Sequence, residues 1–331
     1  MGEGPQRIVI VGAGGAAGQH VRAVRSLGGS RIVGVAARSM ERAAALVADT
    51  DPADGPALYA DTDAARMLDE QRPDAAFVAV PPHLAGPACD LLIARGIPFL
   101  VEKPLAADAD TPVRVAAEIE KRGLVVAVGY DWRGLDFLDE VRAAFAERPP
   151  RLVIGRWLGD TPSPSWWRHA AEGGGQIVEQ ATHLFDLARA LVGEARVVAA
   201  RAVVAHRSTM SDTDVAGATS AVLEFDGGAV GSFVATCLLA TSTIELEFAS
   251  DGLHTTIRHG GAWPDVGWTL TFDDGGPLRV LEPRRNPWAV QAEAFLRAAR
   301  AGDPAGVLST YADALRTDRL TRAVTAAAGA P

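Results

Sequence analysis

The sequence predicts an α/β fold in two domains, an N-terminal doubly wound parallel sheet and a C-terminal α+β domain with an open, mostly antiparallel sheet. Three observations predict it. The 331 residues amount to two domains at roughly 150 residues each. The first third alternates short β-rich runs with helical stretches of the length that parallel crossovers require. Beyond Gly129 that rhythm stops, and strand-like runs follow one another without helices between them, as in an antiparallel sheet. The chain therefore divides into residues 1–128 and 129–331.

Taken in order, the strands of the first domain are expected at Arg7 to Val11, Ile32 to Ala36, Ala75 to Val80, Phe99 to Val101 and Leu124 to Val128. The helices between them are expected at Ala16 to Leu27, Met40 to Ala48, Thr62 to Leu68, Ala85 to Arg95 and Thr111 to Arg122. A helix near Leu135 to Ala146 and the Pro149-Pro150 break lead to a strand at Leu152 to Leu158, then a loop rich in Pro, Trp and Gly. One helix over Ile177 to Leu191 follows. Strands are then expected at Val197 to His206, Ala218 to Phe225, Ala229 to Cys237, Ile244 to Ala249 and Trp268 to Phe272, with a turn at Asp226-Gly227-Gly228. Helices near Trp288 to Ala301 and Thr310 to Ala328 close the chain.

Composition narrows the function. A formal charge of −9 and 48% hydrophobic residues describe an ordinary globular chain and argue against nucleic acid and acidic membranes as partners. Cys89 and Cys237 stand far apart in apolar surroundings, without disulfide or metal-ligand spacing, so no metal is expected. Glu3 and the short apolar run Ile8 to Val11 read as the approach to a strand and not as a signal peptide. No run nears about 18 uncharged apolar residues, so no membrane helix is expected and the cytoplasm is the expected compartment.

The first expected strand runs into Gly12-Ala13-Gly14-Gly15-Ala16-Ala17-Gly18, a G-x-G-x-x-[GA] match. Gly12 suits the tight turn, Gly14 the approach of backbone to a pyrophosphate, and Ala17 close packing of helix on strand. Gly15 and Ala16 complete the turn, whose free N–H groups would face the anion. About 20 residues beyond Ala17, where a carboxylate would bind the ribose 2′-hydroxyl of NAD, the chain has Ala37-Arg38-Ser39. A guanidinium and a hydroxyl suit a 2′-phosphate, so NADP is expected ahead of NAD, with NAD possible.

Glu102-Lys103-Pro104 follows the strand Phe99 to Val101, and ligands of open α/β sheets bind at the carboxyl ends of strands. Lys103 and Lys121 are the only lysines, every other basic residue among the 32 Lys plus Arg being arginine. Arginine cannot exchange a proton at working pH, whereas a desolvated lysine can. Lys103 thus reads as a proton-transfer group, and Lys121, beside Arg122, as a surface residue.

Together, Gly12 to Gly18 with His20, Val80-Pro81-Pro82, Glu102-Lys103-Pro104, Gly129-Tyr130, and Gly173-Gly174-Gly175 followed by His183 resemble the Gfo/Idh/MocA family of NAD(P)-dependent oxidoreductases. The resemblance implies an N-terminal Rossmann domain and a C-terminal domain whose open sheet serves oligomerisation, here a homodimer or homotetramer. It also implies hydride transfer at a carbinol or ketone of a sugar, inositol-like polyol or related cyclic alcohol. Lys103 would touch both nicotinamide and substrate oxygen, through a Lys-Pro peptide commonly cis. Val80, Pro81, His83 and Glu102 would lie beside the cofactor, with His20 and His83 structural or cofactor-adjacent. A non-catalytic NAD(P)-binding regulator, or an enzyme using tightly held NAD for epimerisation or glycoside cleavage, are the alternatives.

The family pattern places Asp four residues before the histidine, and this chain has Glu179 there, with Asp186 beyond. Spacings of four and seven would put Glu179, His183 and Asp186 on one face of a continuous helix, where a carboxylate orients the imidazole for acid-base work. Asp131 stands where the family usually has Asn, within Tyr130-Asp131-Trp132-Arg133. Tyr130, Asp131 and Arg133, with Trp166, Trp167 and Arg168 before the glycine triplet, are the expected substrate wall. Indoles would stack on a sugar ring while Asp and Arg bind its hydroxyls.

Overall fold

A computed structural model describes residues 4–49, 55–60, 63–205, 212–260 and 267–329. The expected helix start at Thr62, the strand end at His206, and Glu3 lie outside these residues. The chain forms two compact units, the first from residues 1–106, 110–134 and 285–315, the second from 107–109, 135–284 and 316–331. The linear division at 128/129 thus differs from the compact units, because Arg285–Leu315 returns to the first.

The first unit holds six parallel strands: β1 (Gln6–Val11), β2 (Ser30–Ala37), β3 (Ala57–Ala60), β4 (Ala75–Val78), β5 (Phe99–Val101) and β6 (Val126–Val128). Their order is β3-β2-β1-β4-β5-β6, so the chain reverses its direction of sheet growth between β1 and β4. Helices α1 (Gly15–Ser26), α2 (Met40–Leu46), α3 (Ala64–Gln71), α4 (Pro82–Arg95) and α5 (Asp110–Arg122) form the crossovers. Strand alternation builds two cores. Val9 and Val11 of β1 join Met67, Cys89, Leu92 and Tyr130 in one cluster, while Ile8 and Ile10 join Val21, Phe77, Leu100 and Phe295 in the other.

The second unit opens with α6 (Leu138–Glu147) and β7 (Leu152–Leu158). Three helices follow, α7 (Ala170–Gly173), α8 (Gln176–Glu179) and α9 (Thr182–Val192), so the single helix expected over Ile177 to Leu191 is in fact two. The break is a widened turn in which Gln176 O accepts from both Gln180 N and Ala181 N at 3.0 Å. Seven strands complete an eight-stranded sheet: β8 (Ala195–Val203), β9 (Ala218–Phe225), β10 (Val230–Thr236), β11 (Thr243–Ser250), β12 (Leu253–Gly260), β13 (Gly267–Asp273) and β14 (Arg279–Leu281). Their order is β14-β13-β12-β11-β7-β10-β9-β8, antiparallel except where β7 and β10 run parallel. Residues Val153, Gly155 and Trp157 share the face that α9 covers. Gly155 leaves room there for the Phe233 ring, which stacks on Phe185 of α9 at 4.6 Å.

Three strands escaped the sequence reading. β3 is four residues, two of them alanine; β14 is three residues on the sheet edge; β12 carries His and Arg on its open face, which masks its alternation. Two closing helices, α10 (Pro287–Ala301) and α11 (Tyr311–Ala328), match their expected positions, and α10 packs in the first unit beside α1.

Candidate active site

The cofactor turn of the first unit has the backbone its glycines suggest. Gly12 takes φ +112°, and a Cβ there would overlap the Ala79 carbonyl, so only glycine fits where β1 meets the end of β4. Gly14 is the N-cap of α1 with no side-chain cap, and a Cβ at Gly14 would meet nothing within 4 Å. The amino end of α1 thus has no side-chain cap and open space beside Gly14, which fits a dinucleotide pyrophosphate. Gly15 is exposed, Ala16 half-buried, and Ala17 buried against the core that α1 shares with β1.

At the end of β2, Ala37 is buried and Arg38 exposed. Ser39 is occupied locally. It caps α2 by accepting from Arg42 N at 3.4 Å, and its hydroxyl bond holds the Glu41 carboxyl below its ordinary range. Of this trio, Arg38 is the one exposed side chain. Val80 and Pro81 continue from β4 next to Gly12, with His83 exposed in the first turn of α4.

Lys103 lies half-buried at the carboxyl end of β5, in a cis peptide with Pro104. Its neighbour Glu102 is buried and faces the ring of His20 at 2.8 Å (Nε2 to Oε1). His20, wholly buried on α1, is held between Phe77 at 4.9 Å and Trp288 at 5.0 Å. A Cβ on Gly129 would overlap the Glu102 carboxylate, so the carboxylate seats over that glycine at the end of β6. Two residues on, Asp131 opens a single 3₁₀ turn (Asp131–Gly134) and is 5% exposed. Burial, and then the charge of Glu102, push its carboxyl up to about 8, against the opposing pull of Lys103.

Tyr130 and Arg133 serve packing in this unit. Tyr130 is 1% exposed within the core, and Arg133 pairs with Asp313 at 2.5 Å and donates to Leu308 O at 3.1 Å. The structure thus gathers Glu102, Lys103 and Asp131, with His20 behind them.

In the second unit the glycine triplet makes a sharp turn, with Gly174 at φ +82° and Gly175 at +83°. The helix break corrects the expectation of one continuous face. Glu179 ends α8 and accepts from Trp167 Nε1 at 2.8 Å, whereas Asp186 on α9 accepts from Thr317 Oγ1 at 2.8 Å. Thr317 also receives Arg189 Nη1 at 2.6 Å, so Asp186 belongs to a buried structural network. His183, 8% exposed, has the Trp157 ring nearly parallel to its own at 6.2 Å. Trp157 escaped the sequence reading as a site residue, although the alternation Val153, Gly155, Trp157 marks its side of the strand.

Of the expected aromatic wall, Trp167 is buried against Val215 and Cys237, which makes it a packing residue that holds Glu179. Trp166 remains half-buried, and Arg168 pairs with Asp212 at 3.0 Å. Among the described residues no group of three His, Cys, Asp or Glu is gathered as a metal site would require, and no helix is long and apolar enough to cross a membrane.

Comparison with known proteins bears on the same segments. An oxidoreductase family model with an NAD-binding Rossmann fold matches residues 6–130, and the Gfo/Idh/MocA C-terminal domain model matches residues 149–258. The chain belongs to the Gfo/Idh/MocA family. It is thereby an NAD(P)-dependent oxidoreductase, with the cofactor turn and the Glu102-Lys103-Pro104 segment inside the first match. The rhizopine catabolism protein MocA of Rhizobium meliloti is 27% identical over 334 residues, spanning 96% of this chain and 94% of that protein. An inositol 2-dehydrogenase of Streptomyces avermitilis is 32% identical over 196 residues, 56% of this chain and 53% of that protein. In fold, the chain is similar to a 3-ketoreductase from Actinomadura kijaniata in complex with NADP and TDP-benzene, at TM-score 0.83, 20% identity and 98% coverage of both. It is also similar to UDP-N-acetylglucosamine 3-dehydrogenase from Acidithiobacillus ferrooxidans, at TM-score 0.78, 20% identity and 97% coverage of both.

Proposed function

We infer that this Gfo/Idh/MocA enzyme interconverts a carbinol and a ketone on a sugar, inositol-like polyol or related cyclic alcohol, with NADP(H) preferred. The observation that carries the reading is Lys103. It is an exchangeable ammonium at the carboxyl end of β5, beside buried Glu102 and Asp131, in a chain that otherwise uses arginine. Relatives named as inositol dehydrogenases, and similar folds named as a sugar ketoreductase and a nucleotide-sugar dehydrogenase, support the substrate class.

A nicotinamide dinucleotide, when bound, would supply the hydride chemistry. Gly12, Gly14 and the start of α1 would hold the pyrophosphate, and Arg38 would meet the 2′-phosphate. In the direction of reduction Lys103 Nζ would give its proton to the carbonyl oxygen of the substrate, and in oxidation Nζ would take it back from the hydroxyl. His183 serves as a second acid or base, with Trp157 fixing its ring plane. Glu179, anchored by the Trp167 indole, and half-buried Trp166 bind the hydroxyls and the apolar face of the ring. The same reading makes the enzyme a cytoplasmic homodimer or homotetramer. Buried free Cys89 and Cys237, and exposed Val198, Val203, Val222 and Val230 on β8, β9 and β10, support it.

The test is turnover with NADPH over a panel of keto-sugars and inosose-type ketones, and with NADP over the alcohols. Lys103→Arg and Lys103→Met are both expected to abolish turnover while leaving NADPH binding nearly intact, because charge alone supplies no transferable proton. His183→Ala is expected to lower kcat by about 100-fold or more. Full activity in Lys103→Arg refutes the proton-transfer role.

A further inference from the structure

The glycine turn of the second unit leads into a buried polar side chain that the rest of the fold leaves unsatisfied. Gln176, the first residue of α8, is 2% exposed, and neither its Oε1 nor its Nε2 meets a hydrogen-bond partner among the described residues. Gln180 Oε1, one helical turn on, and Thr213 Oγ1 are buried without a partner in the same sense. A carboxamide offers two donors and an acceptor oxygen, and burying it unpaired costs free energy that an apolar side chain of similar shape would save. Native folds seldom keep such a group unless something outside the chain meets it. Gln176 also lines a hollow of about 10 Å³ with Gly174, Gly175, Val215 and Thr219. That is room for one oxygen and not for a ring. Thr325, on the same hollow, already donates its hydroxyl to Thr321 O at 3.1 Å. The hollow shares a row of the sheet with the candidate site, since Thr219 pairs with Ala235, Ala235 pairs with Trp157, and the Trp157 ring faces that of His183. Two strand spacings set Thr219 and Trp157 roughly 10 Å apart, within the span of a hydroxylated ring and its substituents.

We propose that Gln176 is a specificity-determining residue of the substrate site: its carboxamide receives one hydroxyl of the sugar or polyol, accepting from it at Oε1 and donating to it through Nε2. The inference rests on the substrate class given above and deepens it by naming a group that recognises a hydroxyl away from the reacting carbon. Its selectivity follows from donors and acceptors. A hydroxyl is both, so it satisfies the carboxamide at two points; a keto oxygen only accepts, and a deoxy carbon does neither. The unpaired carboxamide destabilises the protein alone, and a substrate with the right hydroxyl removes that penalty on binding. Part of the binding free energy therefore depends on one oxygen. Glu179, three residues on, is held by the Trp167 indole, so the two polar groups of α8 divide between holding the site together and reading the ligand.

Gln176→Met keeps the length of the side chain and removes both polar ends. Gln176→Leu removes them in another shape and guards against a packing effect peculiar to one variant. The first readout needs no substrate: thermal unfolding of the protein with NADP should place both variants at or above the wild-type Tm, because an unsatisfied buried group is gone. A carboxamide bonded to an ordered water would instead leave both variants with a lowered Tm, and that result overturns the proposal. The second readout is kinetic. With NADPH and the panel above, both variants should raise KM by about tenfold, more than they lower kcat, while the Kd of NADPH stays put. Deoxy analogues of the compound turned over then locate the hydroxyl. One deoxy position should cost the wild type about tenfold in kcat/KM and cost Gln176→Met nothing further. A Gln176→Met enzyme with the KM and the deoxy pattern of the wild type overturns the proposal even if its Tm is unchanged. The two readings fail in different ways. Turnover that survives Lys103→Arg counts against the proton-transfer role alone, and an unmoved KM in Gln176→Met counts against this inference alone. No turnover with any panel compound sinks the substrate class and this inference with it.

Discussion

Truncating Trp167 separates packing from substrate contact. Its side chain is 1% exposed, lies against Val215 and Cys237, and donates its indole N–H to Glu179 Oε2 at 2.8 Å. Trp167→Ala removes a fully buried ring, which costs about 3 to 5 kcal/mol in protein cores. Trp167→Phe keeps most of the apolar contact and loses only the bond to a carboxylate, a loss of about 1.5 to 3 kcal/mol. At roughly 2 to 4 °C per kcal/mol, Ala should lower Tm by about 6 °C or more, with Phe between Ala and wild type. Trp166, half-buried in the same turn, should behave differently: Trp166→Ala should leave Tm nearly unchanged and raise KM for the sugar or polyol. The assay is thermal unfolding by circular dichroism on all three variants, with KM measured at saturating NADPH. A Trp167→Ala protein melting within about 1 °C of wild type refutes the packing reading. Equal stability losses in Trp166→Ala and Trp167→Ala, with KM unchanged, remove Trp166 from the substrate wall.

Ala37→Asp should place a carboxylate where a ribose 2′-hydroxyl would donate and reverse the preference from NADPH to NADH; tighter NADH binding by the unmodified protein, measured by fluorescence titration, contradicts the role given to Arg38. The raised carboxyl of Asp131 also has a stability consequence, since the folded chain holds a proton that the unfolded chain releases above about 4. The wild type should therefore lose stability relative to Asp131→Asn as pH rises from about 4 to about 8, by up to roughly 1.4 kcal/mol per pH unit. Parallel pH dependences of urea unfolding for the two proteins would count against it. Multi-angle light scattering at micromolar concentration should give two or four times the chain mass of 34.6 kDa, and a monomer mass rejects the assembly.

Period and punctuation made most of the fold legible. Val9 and Val11 against Ile8 and Ile10 divide between the two cores as strand alternation requires, and Gly12 marks the one turn where a Cβ would strike the Ala79 carbonyl. Periodicity failed where a local hydrogen-bond choice decides. Glu179, His183 and Asp186 have helical spacing, yet Ala181 N reaches back five residues to Gln176 O and breaks the helix between Glu179 and His183. Nothing in the residue types from Gln176 to Thr182 announces that choice. β3 and β14 are too short to carry a period at all.

The site was legible where residue type alone restricts chemistry, and it was hidden where neighbours do. Lys121 is exposed and lies 3.6 Å from Glu118, and Arg122 reaches the same carboxylate at 4.0 Å, so lysine and arginine do equal work on that helix. At residue 103 they are not equal. Arginine would balance the carboxyl groups there and bind a substrate oxygen with a better fork, but it would not part with a proton. The lysine is therefore intelligible from the sequence once its strand end is known. The state of Asp131 is not, because an aspartate reads as an anion until the structure puts Glu102 beside it and water away from it. The same holds for His20, an ordinary helix residue until its ring is found 2.8 Å from Glu102. Glu102 is held at two points, by the His20 ring and over Gly129, and burial is what makes Asp131 the carboxyl raised to about 8.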